Sequence, residues 1–298
     1  MKLAGALVVT LVLPVLAAPP QQRSDAAVEI PFDFKTHQPI VAVRVNGGRP
    51  VPFLFDTGAS INVIGDALAQ EIGLAAGGPP QSITGGGQAS VPVRYADAVT
   101  FSANGNEWSR QRAAVLPISA KHYSGFIGAP ILMRYVVQFD FQRGVVRLID
   151  PQRYQPAAGA MRIPFELQAD LPVVRAQVDG GNGPIEARLM VDTGAGGVLV
   201  DLNRPFVDRH GLVEAMQATA SADRPAGIGG TAPFVYGTAR QFTLGGVVVK
   251  NPRIGLSRAT QGSSSRAERD GVIGNQLLRH YLTTFDYQRR LLLLDAAK

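Results

Sequence analysis

The sequence contains no cysteine at all. Disulfide bonds and thiolate chemistry are therefore excluded, and the fold must be held together by an apolar core, for which the 46% hydrophobic content suffices. Charged residues are also scarce, at 17%, whereas glycine (33) and proline (21) are plentiful. This balance argues against disorder and is typical of a compact, turn-rich β protein.

Histidine is rare as well, and its four positions are dispersed without the spacing of metal ligands: His37, His122, His210 and His280. Neither His-Glu-x-x-His nor Gly-x-Ser-x-Gly occurs, so we expect no metal site. Basic residues outnumber acidic ones, 29 to 23, but they are scattered and not interleaved with aromatic residues, so we expect no nucleic-acid partner. The single tryptophan, Trp108, is predicted to pack on an outer strand.

Long apolar runs are missing except for one at the start, Leu3 to Leu16. Lys2 precedes this run and the small residues Ala17 and Ala18 follow it, which predicts a signal peptide over residues 1–18, cleaved near Ala17 or Ala18. The run is short for a membrane span, and an uncleaved signal anchor is the alternative. The mature protein is then expected in the periplasm or outside the cell.

The most informative feature that is present is a repeated tripeptide. Asp56-Thr57-Gly58 and Asp192-Thr193-Gly194 each end an apolar run. A single Asp-Thr-Gly would be weak evidence, since average residue usage produces it in roughly one chain in twenty of this length. The second copy, with the same flanks, makes two unrelated turns a poor explanation.

Other segments recur in the same order around the two tripeptides. The pairs are Ile30-Pro31-Phe32 and Ile163-Pro164-Phe165, Ile83 to Gly87 and Gly227 to Gly230, Phe126 to Leu132 and Val272 to Leu278, and Phe139 to Arg143 and Phe285 to Arg289. An internal duplication is the simplest explanation. It predicts a lobe over residues 30–150, a linker over 151–162 and a second lobe over 163–298, with residues 19–29 as a flexible tail.

Only short helices are predicted between the strands of this repeat. They are expected over residues 66–72 and 204–210, ended by Gly73 and Gly211, and after Gly128 and Gly274. Alternating and short apolar runs predict strands elsewhere. The expected fold is therefore all-β with a few short helices.

Two Asp-Thr-Gly loops brought together would place two carboxyl groups within hydrogen-bonding distance. Glycine permits the tight turn and the close approach of a second backbone. Two such close negative charges do not both form easily, so one aspartate keeps a proton while the other is ionised. Such a pair can activate a water molecule and polarise a peptide carbonyl without a metal, a cofactor or a covalent intermediate. The sequence leaves open which aspartate carries the proton.

With these motifs the chain resembles the bacterial retropepsin-like aspartic proteases and, in its two-lobed plan, the pepsin family, over about residues 30 to 296. The resemblance implies two pseudo-symmetric lobes around a cleft, with Asp56 and Asp192 catalytic. It implies that Thr57, Gly58, Thr193 and Gly194 support the catalytic loops. It also implies a peptide or protein substrate bound in extended form and, because one chain carries both aspartates, activity as a monomer.

Glycine-rich hairpins form flaps over the substrate in this family. The corresponding candidates are Ile83, Thr84, Gly85, Gly86 and Gly87 in the first half and Ile228, Gly229 and Gly230 in the second. A pepsin has one flap, so the sequence leaves open which of the two segments closes here.

The residues after the two tripeptides, Ala59 and Ala195, depart from the pepsin pattern, which has serine or threonine there. Without a hydroxyl that donates to the carboxylate, we expect a less acidic pair and activity centred at mildly acidic pH. Two other functions remain open. One is a peptide-binding or regulatory module that has this fold but no activity, and the other is a secreted β-rich envelope-binding protein whose Asp-Thr-Gly turns are structural.

Overall fold

The structure is a computed structural model that describes residues 27–118 and 121–296. The predicted signal peptide and most of the predicted tail lie outside the described residues. Within the described ranges, no helix has both the length and the apolar character that crossing a bilayer would require.

The first half of the chain forms strands and two short helices. In chain order these are β1 (Val28–Asp33), β2 (Ile40–Val45), β3 (Val51–Phe55), β4 (Asn62–Gly65), α1 (Asp66–Glu71), β5 (Gly77–Thr84), β6 (Ser90–Ala103), β7 (Asn106–Leu116), β8 (Gly125–Ile127), α2 (Ala129–Leu132), β9 (Val136–Asp140) and β10 (Val145–Ile149).

The second half is built in the same way. Its elements are β11 (Met161–Gln168), β12 (Leu171–Asp179), β13 (Pro184–Val191), β14 (Val200–Leu202), α3 (Arg204–Arg209), α4 (Leu212–Ala215), β15 (Ala220–Pro225), β16 (Thr231–Thr238), β17 (Gln241–Leu244), β18 (Val247–Lys250), β19 (Arg253–Ser257), a 3-10 turn (Ser263–Ser265), β20 (Gly271–Ile273), α5 (Asn275–Leu278), β21 (Tyr281–Asp286) and β22 (Leu291–Ala296). The prediction of an all-β fold with a few short helices is confirmed.

One antiparallel sheet joins the two halves, and we call it the interlobe sheet. Its strand order is β1-β10-β9-β21-β22-β11, so each half contributes three neighbouring strands. The halves meet at β9 and β21, where Gln138 Nε2 donates a hydrogen bond of 3.0 Å to Thr284 Oγ1. The two lobes are therefore covalently and structurally continuous beneath the cleft.

The prolines of the repeated Ile-Pro-Phe segments lie where a strand passes from one sheet to another. Residues up to Pro31 pair with β10, and Phe32 and Asp33 pair with β2. In the second half, residues up to Pro164 pair with β22 and Phe165 begins the pairing with β12. Proline has no N–H to donate, so it suits the position at which the hydrogen-bonding partner changes.

Each lobe holds its Asp-Thr-Gly strand by the same crossing of strands. In the first lobe, β3 pairs parallel with β8, and β8 pairs antiparallel with β4. In the second, β13 pairs parallel with β20, and β20 pairs antiparallel with β14. Because three-stranded pairing fixes β3 and β13 on their inner sides, the residues after these strands have little freedom of direction.

Aromatic side chains form a continuous row through the core below the cleft. Successive ring centroids lie 5.8 to 6.1 Å apart along Phe32, Phe141, Phe139, Phe285, Tyr287 and Phe165. Most of these side chains are buried, and Phe139 and Phe285 are fully inaccessible. Burial of this area supplies the cohesion that disulfides would otherwise add.

Two predicted boundaries and one predicted environment differ from the structure. Strand β1 already includes Val28 and Glu29, because the Glu29 carboxylate accepts a 2.7 Å hydrogen bond from Arg147 Nε of β10. Strand β11 begins at Met161, inside the predicted linker. Trp108 does not lie on an outer strand: it is fully buried, since β7 pairs with both β6 and β4, and its Nε1 donates to the Tyr135 hydroxyl at 3.1 Å.

Candidate active site

Asp56 and Asp192 each follow the last residue of a strand that alternates between core and cleft. In β3, Phe53 and Phe55 are buried in the main core, which directs Asp56 to the opposite face. Each aspartate is held by a backbone hydrogen bond to the neighbouring parallel strand. Asp56 N–H donates to the Ile127 carbonyl at 3.0 Å, and Asp192 N–H donates to the Ile273 carbonyl at 2.9 Å.

The two carboxyl groups meet and are hydrogen-bonded to each other. Gly58 N–H donates to Asp56 Oδ1 at 2.8 Å, and Gly194 N–H donates to Asp192 Oδ1 at 2.7 Å. A methyl group in place of the Gly58 hydrogen would lie 2.5 to 2.7 Å from the Asp192 carboxyl atoms. Glycine is required at this position because the other carboxyl group occupies the space.

The two threonines of the tripeptides lock the loops to each other across the lobe boundary. Thr57 N–H donates to Thr193 Oγ1 at 3.1 Å, and Thr193 N–H donates to Thr57 Oγ1 at 3.0 Å. Each hydroxyl then donates to the opposite lobe, from Thr57 to the Val191 carbonyl and from Thr193 to the Phe55 carbonyl, both at 2.8 Å. Both side chains are buried, so these bonds are shielded from water.

Two polar residues that the sequence analysis did not single out support the second loop. Asn275 is fully buried, and its Nδ2 donates to the Thr193 carbonyl at 2.7 Å and to the His37 carbonyl at 2.8 Å. Gln38 Nε2 donates to the Gly194 carbonyl at 2.6 Å. A segment of the first half therefore supports the catalytic loop of the second half. The position of Asn275 directly after the repeated Ile-Gly was the only sequence signal for this role.

Burial, and then the charge of the adjacent Asp192 carboxylate, raise the pKa of Asp56 well above its ordinary value of 3.8. Burial also raises the pKa of Asp192, but the hydrogen bonds from Asp56 and from the Gly194 N–H, and the positive charge of Arg269, oppose this rise. The stronger rise at Asp56 places the shared proton on Asp56 and leaves Asp192 ionised.

Replacing Asp56 by asparagine should stabilise the protein at neutral pH. The folded parent binds the Asp56 proton more tightly than the unfolded chain does, so this contribution to stability is complete below about pH 3.8 and is lost as the pH rises through the raised pKa. Asparagine does not titrate. The variant's advantage in free energy of unfolding should therefore grow by about 1.4 kcal/mol per pH unit within that window. Denaturant unfolding at a series of pH values measures it.

The matched control for this comparison is Asp97→Asn, which removes a negative charge from a side chain that is 77% exposed. Its unfolding curves correct for the altered net charge. A difference between Asp56→Asn and the parent that stays constant with pH would show that the Asp56 carboxyl group is not held in its protonated form.

The two candidate flaps meet tip to tip above the cleft. The first tip, residues 85–89, joins β5 and β6, and the second, residues 226–230, joins β15 and β16. Backbone hydrogen bonds connect them: Gly87 N–H donates to the Ile228 carbonyl at 2.9 Å, Ala89 N–H to the Gly229 carbonyl at 2.9 Å, and Gln88 N–H to the Thr231 carbonyl at 3.2 Å.

Glycine is needed at this junction, because a methyl group on Gly86 would overlap the Ala226 carbonyl oxygen. The apolar flap residues Ile83 and Ile228 pack against one cluster of side chains below the tips. The structure thus answers the question that the sequence left open: both segments are closed, and they close on each other.

Tyr123 and Arg269 also face the aspartate pair, and the sequence analysis missed both. Burial, together with the charges of Asp56 and Asp192, raises the pKa of Tyr123 to about 12. Burial lowers the pKa of Arg269, and the charge of Asp192 opposes this change. Tyr123 precedes Gly125 by the same interval at which Arg269 precedes Gly271, but the two residues have no chemical similarity that a repeat search could detect.

Comparison with known proteins places this geometry in a family. A family model described as aspartyl protease matches the chain in two regions, residues 41–131 and 174–277, and each region contains one Asp-Thr-Gly loop. A search of curated proteins found no match. In the described residues, no cluster of three or more histidine, aspartate or glutamate side chains could hold a metal ion. The family match covers well over half of the chain, and the chain therefore belongs to the aspartyl protease family.

Proposed function

We propose that this protein is an aspartic endopeptidase that hydrolyses peptide bonds with a water molecule activated between Asp56 and Asp192. One observation carries the proposal: two carboxyl groups from equivalent loops are hydrogen-bonded to each other at the base of a cleft, and their environments favour a single shared proton. This is the protonation state that combined acid and base catalysis requires.

The chemistry follows from the two protonation states. Ionised Asp192 takes a proton from the water as its oxygen bonds to the peptide carbonyl carbon, and protonated Asp56 gives its proton to the carbonyl oxygen. In the second step Asp192 gives its proton to the amide nitrogen, the C–N bond breaks, and Asp56 recovers its proton from a hydroxyl of the intermediate. The pair ends with the one proton with which it began.

The substrate would bind as an extended strand between the aspartate pair and the flaps. Backbone groups of the two flap tips, which bond each other here, are positioned to bond a peptide backbone instead once they separate. Since one chain carries both aspartates and the threonine lock lies within it, we propose that a monomer suffices for activity.

The proposed location is the periplasm or the exterior of the cell. This part rests on residues 1–18 alone, whose charged start, apolar run and small residues fit a signal peptide. N-terminal sequencing of the exported protein would test it, and a first residue near Pro19 is the expected result.

Incubation of the purified protein with a mixed peptide library, at a series of pH values, tests the activity. We expect internal cleavage that is fastest at mildly acidic pH and is blocked by a statine-type inhibitor, whose hydroxyl mimics the tetrahedral intermediate. Binding of peptides without cleavage would instead favour the regulatory module. Neither binding nor cleavage would favour an envelope protein with structural Asp-Thr-Gly turns. A pH optimum as low as that of pepsin would contradict the effect assigned to Ala59 and Ala195.

A further inference from the structure

Tyr123 and Arg269 occupy equivalent positions on the two sides of the aspartate pair. The residue after each, Ser124 or Asp270, is anchored by the same backbone bonds. Ser124 N–H donates to the Pro52 carbonyl at 2.7 Å and its carbonyl accepts from Gly65 N–H at 2.7 Å, while Asp270 N–H donates to the Arg188 carbonyl at 2.8 Å and its carbonyl accepts from Asn203 N–H at 2.8 Å. Because these anchors correspond, Tyr123 and Arg269 enter the cleft from matching directions.

The surroundings of Tyr123 are apolar. Its ring lies 5.2 Å from the ring of Phe126, and it belongs to a cluster that we call the N-lobe wall: Ile40, Leu54, Ile61, Ile83, Phe126 and Ile228. Leu54 precedes Asp56 by two residues on the cleft face of β3, so this wall borders the aspartate pair directly. A substrate side chain beside this wall would be apolar, because a charged side chain would lose hydration there without gaining a partner.

Arg269 gives the other side a different character. Its Nη1 contacts Met190 Sδ at 3.0 Å, and Met190 stands to Asp192 as Leu54 stands to Asp56. Asn203 Nδ2 holds the Arg269 carbonyl at 2.9 Å, which fixes the backbone that carries the guanidinium. The wall that is wholly apolar on the first side therefore contains a positive charge on the second.

The Arg269 guanidinium is partly buried and is not paired. Among the residues that the structure describes, it forms no ion pair with a carboxylate within 4.0 Å, whereas Arg147, Arg175, Arg258 and Arg289 each do. Asp270 is the next residue, but its Oδ2 accepts from the Arg188 N–H at 2.9 Å instead. A partly desolvated guanidinium of this kind gains most from a carboxylate ligand, which it can bind in a bidentate manner.

We infer that Arg269 determines specificity by binding the carboxylate of an acidic substrate side chain next to the scissile bond, while the N-lobe wall takes an apolar side chain across that bond. The inference rests on the proposed endopeptidase function and extends it to a substrate class. Cleavage sites should then pair an aspartate or glutamate on one side of the cut with an apolar residue on the other.

The test uses peptide pairs that are acetylated and amidated, so that the only carboxylate is the varied side chain. Each pair has glutamate or glutamine immediately before or immediately after one cleavable bond, with leucine opposite. At about pH 6, where a free glutamate is ionised, the parent should cleave one glutamate peptide about tenfold or more faster in kcat/KM than its glutamine partner. In Arg269→Gln, that ratio should fall to about one.

Two further measurements exclude other readings. Arg266→Gln removes the same charge from an exposed side chain of the same loop and should leave the glutamate-to-glutamine ratio within about twofold of the parent. If Arg269 only tuned the field at Asp192, Arg269→Gln would change both rates by the same factor and leave the ratio unchanged, which would overturn the inference. A parent ratio of one at both positions would overturn it as well.

Binding separates this inference from the endopeptidase function. Analogues of the same peptides with a reduced, uncleavable central bond are titrated into the parent and into Arg269→Gln by calorimetry. A glutamate preference in binding that Arg269→Gln abolishes supports the assignment even if no peptide is hydrolysed. Hydrolysis without any such preference in the parent supports the endopeptidase and refutes the role of Arg269.

Discussion

Asp56→Asn and Asp192→Asn are each expected to lower kcat/KM on a cleaved peptide by about 10⁴-fold or more. Asparagine has nearly the same shape as aspartate but neither releases nor accepts the proton that the reaction moves. Because the two carboxyl groups share one proton and act as a unit, loss of either should be as severe as loss of both. Initial rates with a fluorogenic peptide, taken from the library cleavage sites, measure the effect.

The folded state of these variants must be checked separately. Thermal unfolding should show both to be folded, since the Gly58 and Gly194 N–H groups can still donate to the side-chain oxygen of asparagine. The surface variant Asp97→Asn should keep the parent rate. Cleavage at the parent rate by either active-site variant would refute the proposed mechanism, and loss of folding in either would remove the kinetic comparison in favour of inhibitor binding by the other.

Thr57→Val is expected to destabilise the protein by about 2–5 kcal/mol. Valine matches the volume of threonine but leaves the buried Thr193 N–H without its acceptor and the Val191 carbonyl without its donor. Each unsatisfied buried group costs about 1–3 kcal/mol, which is a large part of the stability of a typical domain. Equilibrium unfolding in denaturant measures the loss, and activity should fall with it because the two aspartate loops are no longer held in register.

Thr57→Ser is the matched control, since it keeps the hydroxyl and removes only a methyl group, at a cost of about 1 kcal/mol. The lock is reciprocal, so Thr193→Val should resemble Thr57→Val. The double variant should then be less destabilised than the sum of the two, because each single change already disrupts the same set of bonds. Additive effects, or a Thr57→Val variant as stable as Thr57→Ser, would show that the threonines act independently.

Much of the architecture could be predicted because it is written in local pattern. The apolar runs before Asp56 and Asp192 predict the strands that carry them, and helices do begin after Gly128 and Gly274. The duplicated order of motifs also predicts two similar lobes, since similar sequences bury the same faces. Trp108 shows the limit of such reasoning: its burial depends on β7 having partners on both sides, which its own sequence does not specify.

The support of the active site was harder to predict for the same reason. Gln38 and Asn275 are far apart in the sequence, and each contacts the second Asp-Thr-Gly loop only because β1 and β11 join both lobes through one sheet. Polar side chains of this kind have no periodicity. Their roles follow from which backbone carbonyls the fold brings within their reach.

The sequence by itself determined the all-β class, the two lobes and the candidate pair Asp56 and Asp192, because periodicity and repetition are properties of the chain before it folds. Only the tertiary structure decided that the proton lies on Asp56, that both flaps close on each other, and that Tyr123 is matched by Arg269 across the pair. The physical reason is that burial, charge and contact depend on distances between residues from opposite halves. Those distances exist only once the interlobe sheet has brought the two lobes together.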